Sequence, residues 1–212
     1  MDIKFDRCKK LFGEDFSKLQ NAKVLVLGVG GVGGVLVDCL ARSGVGHITV
    51  VDDDTFDETN QNRQLYSESV GDKKVEVFAK KYECIEPIFQ RVTKEWVGKF
   101  DFSKYDIVVD AIDDISAKVQ VALKCHNRLI SSMGSAKRVD PLMIEVKDIW
   151  KTYGDKLAKK FRYELKKAGF KGKFDVVFSP EEPRCEEMGS FMAVTGSFGL
   201  TLCSLVVKRL LV

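Results

Sequence analysis

Residues 23–54 read KVLVLGVGGVGGVLVDCLARSGVGHITVVDDD, and the fold follows from this stretch. Residues 23–28 (KVLVLG) are a run of branched apolar side chains ending in glycine, the pattern of a strand buried on both faces. Glycines follow at once, then residues 35–43 with apolar side chains at helical spacing, then Gly44 and Gly46. Residues 47–51 (HITVV) repeat the apolar run and lead to Asp52. Strand, glycine turn, helix and strand make a βαβ unit, which is right-handed with parallel strands. Outward from it, residues 75–84 predict a helix, 107–110 (IVVD) a buried strand, 116–126 a helix and 129–133 a strand. The expected fold is a Rossmann-like, doubly wound, mostly parallel α/β sheet with helices on both faces.

A chain of 212 residues accommodates one such domain. Residues 1–140 form its nucleotide-binding core, 141–188 a basic helical segment and acidic loop, and 189–212 a packing helix. The content of 45% apolar and 31% charged residues excludes a disordered polyelectrolyte. No apolar run opens the chain, so a secretory signal is not expected. Six cysteines without a CxxC pair fit neither a disulfide scaffold nor structural zinc, and favour a reduced, cytoplasmic setting. Residues 191–207 are uncharged but interrupted by Gly196, Ser197 and Gly199. A buried core helix is expected there rather than membrane contact.

The net charge of +3 is unevenly spread. Residues 147–173 hold ten Lys/Arg against three Asp/Glu, a balance of +7 that leaves −4 for the remainder. Leu157, Phe161 and Leu165 share one helical face, and Lys159, Lys160, Lys166 and Lys167 lie mostly off it. From charge alone this is either a solvated face or a docking surface for a polyanion such as RNA. Residues 178–188 then turn acidic, with two prolines, as expected of an exposed loop.

The turn contains GxGxxG at Gly28, Gly30 and Gly33, with Gly31 between them, after a strand and before a helix. In that context backbone N–H groups and the helix N-terminus cradle phosphate, and Asp52, with Asp54 beside it, can accept from ribose hydroxyls. Dinucleotide and ATP sites share this geometry. Asn60, Arg63, Gln64 and Lys74 favour ATP, because attack at the α-phosphorus loads charge onto phosphoryl oxygens as pyrophosphate leaves. Asp113 follows a strand at the ligand-binding edge and can hold Mg²⁺, or it caps the next helix.

These residues resemble a known superfamily. Arg7, LFG (11–13), GVGGVG (28–33), ARSGVG (41–46), VDDD (51–54), NQNRQ (60–64) and VGDKK (70–74) are similar to the ThiF/MoeB/HesA carboxylate-adenylating group, which includes ubiquitin-activating enzymes. DAIDDISAK (110–118), SMGSAKRVDP (132–141), DIWKT (148–152), LAKKFRYELKKAGF (157–170) and SPEEP (179–183) resemble the tRNA threonylcarbamoyladenosine dehydratase (TcdA, or CsdL) family. The resemblance implies adenylation of the carboxylate of threonylcarbamoyladenosine beside the anticodon, then ring closure with loss of water. It gives Asp52 the ribose, Asn60, Arg63 and Lys74 the triphosphate, and Asp113 the Mg²⁺ or phosphates. It further implies a homodimer with Arg7 acting in trans, tRNA contact at Lys159, Lys160, Arg162, Lys166 and Lys167, and a possible sulfur-relay protein partner.

The sequence departs from the family where Gly34 replaces a common Ser, Lys73 a common Pro, and where residues 183–189 are short and retain only Cys185. An ordinary loop thiol is the expected reading of Cys185, and Cys39, Cys125 and Cys203 read as core residues. Alternatives are an adenylyltransferase for a ubiquitin-like sulfur carrier, a nicotinamide dehydrogenase needing neither Arg63 nor Lys74, and a non-catalytic nucleotide- or RNA-binding module.

Overall fold

The computed structural model describes residues 3–212. Two short helices, α1 (Asp6–Phe12) and α2 (Phe16–Asn21), precede β1 (Lys23–Leu27), α3 (Gly33–Ser43) and β2 (His47–Asp52). Then come α4 (Lys74–Lys81), β3 (Ile85–Phe89), α5 (Lys94–Lys99), β4 (Ile107–Asp110), α6 (Ile115–Cys125) and β5 (Leu129–Ser132). The remainder is β6 (Glu145–Asp148), α7 (Lys156–Lys167), β7 (Asp175–Phe178) and α8 (Met192–Leu211). The strands form one seven-stranded sheet in the order β3-β2-β1-β4-β5-β7-β6. All pairings are parallel except β6 with β7. Strand order reverses between β1 and β4, and at such a switch point the crevice beyond the strand C-termini takes ligands.

The apolar strands are two-faced. Val24 and Val26 of β1 join one core with α2, α3, α4 and α8; Leu25 and Leu27 join the other with α5, α6 and α7. Gly44 ends α3 at φ +91°, a left-handed cap that glycine takes without steric cost.

The structure revises three expectations. The helix over 75–84 ends at Lys81, because Tyr82 turns extended to lead into β3. After Pro141 the sheet continues instead of giving way to helix and loop: β7 extends the parallel set and β6 closes the edge. Residues 178–188 are not uniformly exposed, since Phe178, Ser179 and Glu181 are buried and the Glu181 carboxylate accepts from the Val139 and Asp140 N–H groups.

The C-terminal apolar stretch is a core helix, as expected, burying Phe198, Leu202 and Val206. It is also long and apolar enough to cross a membrane by length and composition. Its glycines do not interrupt it. A Cβ on Gly199 would lie 2.6 Å from the Val32 carbonyl oxygen, so the missing side chain is what lets α8 lie against α3.

Candidate functional site

The C-terminal ends of β1, β2 and β4 border a cleft of about 490 Å³. Gly28 has φ +87°, and its N–H donates to the Val51 carbonyl at 2.9 Å, tying the turn to β2. Gly33 is packed so closely that a Cβ would lie 1.9 Å from the Gly28 carbonyl oxygen. At Gly30 a Cβ would meet nothing among the described residues within 4 Å, so its open face is available to a ligand. Helix α3 starts from Val32 without a side-chain cap; the Gly34 N–H is taken by the Gly30 carbonyl at 2.8 Å, and the positive end of the helix still favours an anion at the turn.

Asp52 is fixed by two backbone donors, Val29 N–H at 2.7 Å and Asp54 N–H at 2.8 Å, one to each carboxylate oxygen. Burial pushes its carboxyl above the usual range, against the lowering effect of those bonds and of Lys74. Lys74 is only 4% exposed, and its Nζ lies 2.9 Å from Asp54 Oδ2. Arg63 donates to the Thr59 carbonyl at 2.9 Å and to Asn62 Oδ1 at 2.8 Å. Gln64 is buried, and its Oε1 has no partner among the described residues.

Gly28, Gly30, Gly31, Asp52, Asp54, Arg63, Gln64, Lys74 and Asp113 therefore meet in one cleft. Asn60 and Gly33 do not line it. Asn60 is turned inward as part of a reciprocal cap, its Oδ1 accepting from the Asp57 N–H. Gly33 serves the packing of helix on strand. The helix cap after β4 is Asp114, accepting from the Ala117 N–H at 2.7 Å, so Asp113 is exposed with a carboxylate that makes no bond among the described residues. A free carboxylate on the wall of the cleft has the chemistry to hold a hard cation. Asp52, Asp53 and Asp54 also gather carboxylate oxygens within 4.8 Å of one another.

Arg91 also lines the cleft, and its guanidinium has no partner among the described residues. Sequence reading misses it because β3, which it follows, carries no clear strand pattern. Sequence reading also misses Lys118, whose Nζ is fully buried and bonds Asp110 at 2.8 Å, Ser131 Oγ at 3.2 Å and the Ser132 carbonyl at 3.0 Å. That cluster ties the ends of β4 and β5 directly beneath the loops that form the site.

A second cavity of about 840 Å³ adjoins the cleft and shares Ala111, Ile112 and Asp113 with it. Cys185 lies on its wall, exposed, with Sγ donating to the Glu187 carbonyl at 3.3 Å. Cys125 and Cys203 are buried as expected, and burial pushes the Cys125 thiol up to about 12. Cys39 is half-buried.

On α7, Lys159, Lys160, Lys166 and Lys167 are exposed, while Phe161 and Leu165 are buried. Arg162 turns back to donate to Thr152 Oγ1, which separates it from the exposed lysines. Lys160 and Lys167 face a groove between α6 and α7 that reaches Asp114 at the mouth of the cleft. Arg7 lies elsewhere. Cys8 of α1 donates to the Arg42 carbonyl, and Phe5, just before α1, packs on Phe16 beside Gly44, all at the end of α3 remote from the glycine turn.

The ThiF family model matches residues 6–212. Over 181 residues the chain is 41% identical to the tRNA threonylcarbamoyladenosine dehydratase of Bacillus subtilis (strain 168), covering 80% of this chain and 71% of that protein. The dehydratase of Escherichia coli (strain K12) is 35% identical over 84% of the chain and 74% of its own length. The crystal structure of the E. coli enzyme, TcdA, in complex with ATP superposes with a TM-score of 0.91 at 32% identity, covering 98% of this chain and 93% of that one.

Proposed function

This chain belongs to the ThiF family, and from that premise we propose that it is an ATP-dependent tRNA threonylcarbamoyladenosine dehydratase. The observation that carries the reading is the likeness, at a TM-score of 0.91 over nearly the whole chain, to a dehydratase whose crystals hold ATP. The cleft of this chain has the chemistry such a reaction needs.

A carboxylate is a poor electrophile because its charge repels nucleophiles and oxide is a poor leaving group. In the first step a carboxylate oxygen of the modified nucleoside bonds to the α-phosphorus of ATP. The bond to the β-phosphate oxygen breaks, and pyrophosphate leaves with the electron pair. In the second step a nucleophile of the same modification attacks the acyl carbon and gives up its proton, and AMP leaves. The oxygen removed from the nucleoside departs on AMP, so the net change is loss of one water from the substrate. Since nucleophile and electrophile are tethered, the protein supplies no nucleophile of its own.

Its task is alignment and charge neutralisation. The glycine turn and the start of α3 cradle the phosphates. The Asp52 carboxylate, held by two backbone N–H groups, keeps lone pairs for the ribose hydroxyls. Arg63 and Lys74 counter charge on the phosphoryl oxygens. Asp113 is the residue that would hold Mg²⁺, which when bound adds further charge neutralisation at the phosphates.

The α7 lysines contact tRNA phosphates. A homodimer delivers Arg7 to the neighbour's ATP, a reading supported by the distance of α1 from its own glycine turn. A sulfur-relay protein is a candidate partner, and the protein works in the cytoplasm with α8 in its core. The deciding experiment is incubation with ATP, Mg²⁺ and tRNA bearing threonylcarbamoyladenosine, followed by mass analysis of the nucleosides. An ATP-dependent loss of one water is expected; an unchanged nucleoside refutes the proposal.

A further inference from the structure

We infer that the 840 Å³ cavity beside the nucleotide cleft receives the modified adenine base itself, extruded from its strand, with Leu157 as a wall that determines the fit and Lys156 and Arg184 gripping the flanking phosphates. This rests on the dehydratase reading, and deepens it by giving the nucleoside a place separate from that of ATP.

Position is the first argument. Ala111, Ile112 and Asp113 border both spaces, so an acid seated in the larger one has its carboxylate against the phosphate side of the smaller. In-line attack requires that adjacency. The lining chemistry is the second. Ile112, Met133, Leu157, Pro183 and Met188 present apolar surface, against which the face of a purine can pack. Met188 is 81% exposed, and its flexible, polarisable thioether suits an adaptable contact with a planar ring.

The ionisable side chains of the cavity balance in sign, unlike α7. Arg138 and Asp155, both buried, are paired at 3.0 Å and form part of its frame. An interior of balanced charge suits a neutral base carrying one carboxylate rather than a run of phosphates. Lys156 and Arg184 differ from that pair: both are exposed, and neither side chain has a partner among the described residues. They are the cations free to meet the phosphates on either side of an extruded nucleotide.

The wall is built in advance. Lys137 has φ +69°, a left-handed conformation uncommon for a side-chain-bearing residue. Three bonds hold it there: its N–H donates to the Gly189 carbonyl at 2.9 Å, its carbonyl accepts from the Arg184 N–H at 2.9 Å, and its Nζ donates to the Glu186 carbonyl. Residues 134–138 are thereby strapped to 184–189. Glu181 fixes the far end through the Val139 and Asp140 N–H groups.

The test uses the intact chain and tRNA bearing threonylcarbamoyladenosine. Leu157→Trp fills the cavity, and kcat/KM for the tRNA should fall at least about tenfold while ATP affinity by calorimetry stays within about twofold. Arg184→Ala, on the surface and without folding risk, should raise KM for tRNA about three- to tenfold with little change in kcat and a shallower salt dependence. If wild type dehydrates the tRNA and both variants match it, the base does not enter this cavity and the inference fails. That is also the outcome if the cavity serves the C-terminal tail of a protein. Should wild type itself leave the nucleoside unchanged, the dehydratase reading fails instead, so the two failures are distinct.

Discussion

Arg63 lines the cleft while anchored to the Thr59 carbonyl and the Asn62 side chain, so its planar guanidinium is oriented before ATP arrives. Preorganised charge of this kind acts on the transition state more than on the bound ground state. Arg63→Ala should therefore lower the rate of pyrophosphate release by about 10²–10³-fold while ATP affinity weakens only modestly. Rapid-quench and equilibrium-binding measurements separate the two effects. Burial raises the Asp52 carboxyl above the ordinary value, so on acidification it takes up a proton in the native state before it does in the unfolded chain. Between the ordinary and the raised value the native state binds more protons, and this group's contribution to stability falls as pH rises through that window. With Asp52 in the proposed ribose-binding role, nucleotide affinity runs the other way, because protonation removes an acceptor. ATP binding should weaken from neutral to mildly acidic pH, and Asp52→Asn should bind weakly with a flatter profile, as titration calorimetry at several pH values would show.

At the scale of elements, the sequence is most transparent where a strand is buried on both faces and its turn chemistry is strict. The β1–α3–β2 unit, β4 and β5 are legible because runs such as VLVL and IVVD have no other reason to be so apolar. The sheet edges are opaque. β3 reads IEPIF, with Glu86 and Pro87 in a strand that pairs only with β2; an edge position tolerates both, and with β3 hidden Arg91 is hidden as well. β6 reads EVKD for the same reason at the opposite edge. Lys118 escapes because a lone lysine in a helix normally points to solvent, and only packing reveals that this one bridges β4 and β5. Asn60 reads as a phosphate ligand because its neighbours do; whether an amide faces the cleft or caps a turn depends on local backbone geometry that residue type does not encode. Gly199→Ala forces α8 away from α3 and should destabilise the protein by about 1–3 kcal/mol in denaturant unfolding. Replacing Lys159, Lys160, Lys166 and Lys167 by glutamate should weaken tRNA binding, with the slope of log affinity against log salt falling by about 0.7–0.9 for each phosphate that is no longer neutralised. Unchanged affinity would mark α7 as a solvated face.

For the whole molecule, the near-neutral total conceals a polarised distribution: +7 over residues 147–173, much of it on the exposed face of α7, and an acidic remainder that includes Asp52, Asp53 and Asp54 at the cleft. The geometry also separates Arg7 from the cleft of its own chain. In the proposed homodimer, mixing an Arg7→Ala protein with an Asp52→Asn protein should restore part of the activity, because one cleft of each mixed dimer then has both residues intact. Absence of rescue in verified heterodimers would exclude action in trans.

The packing of Gly199 against Val32 and Leu36 joins the start of α3 to α8, two elements far apart in sequence. No residue of α8 lines the nucleotide cleft, yet a substitution in α8 that shifts this seam displaces the glycine turn that does. Damage to a helix remote from the cleft therefore reads out inside it.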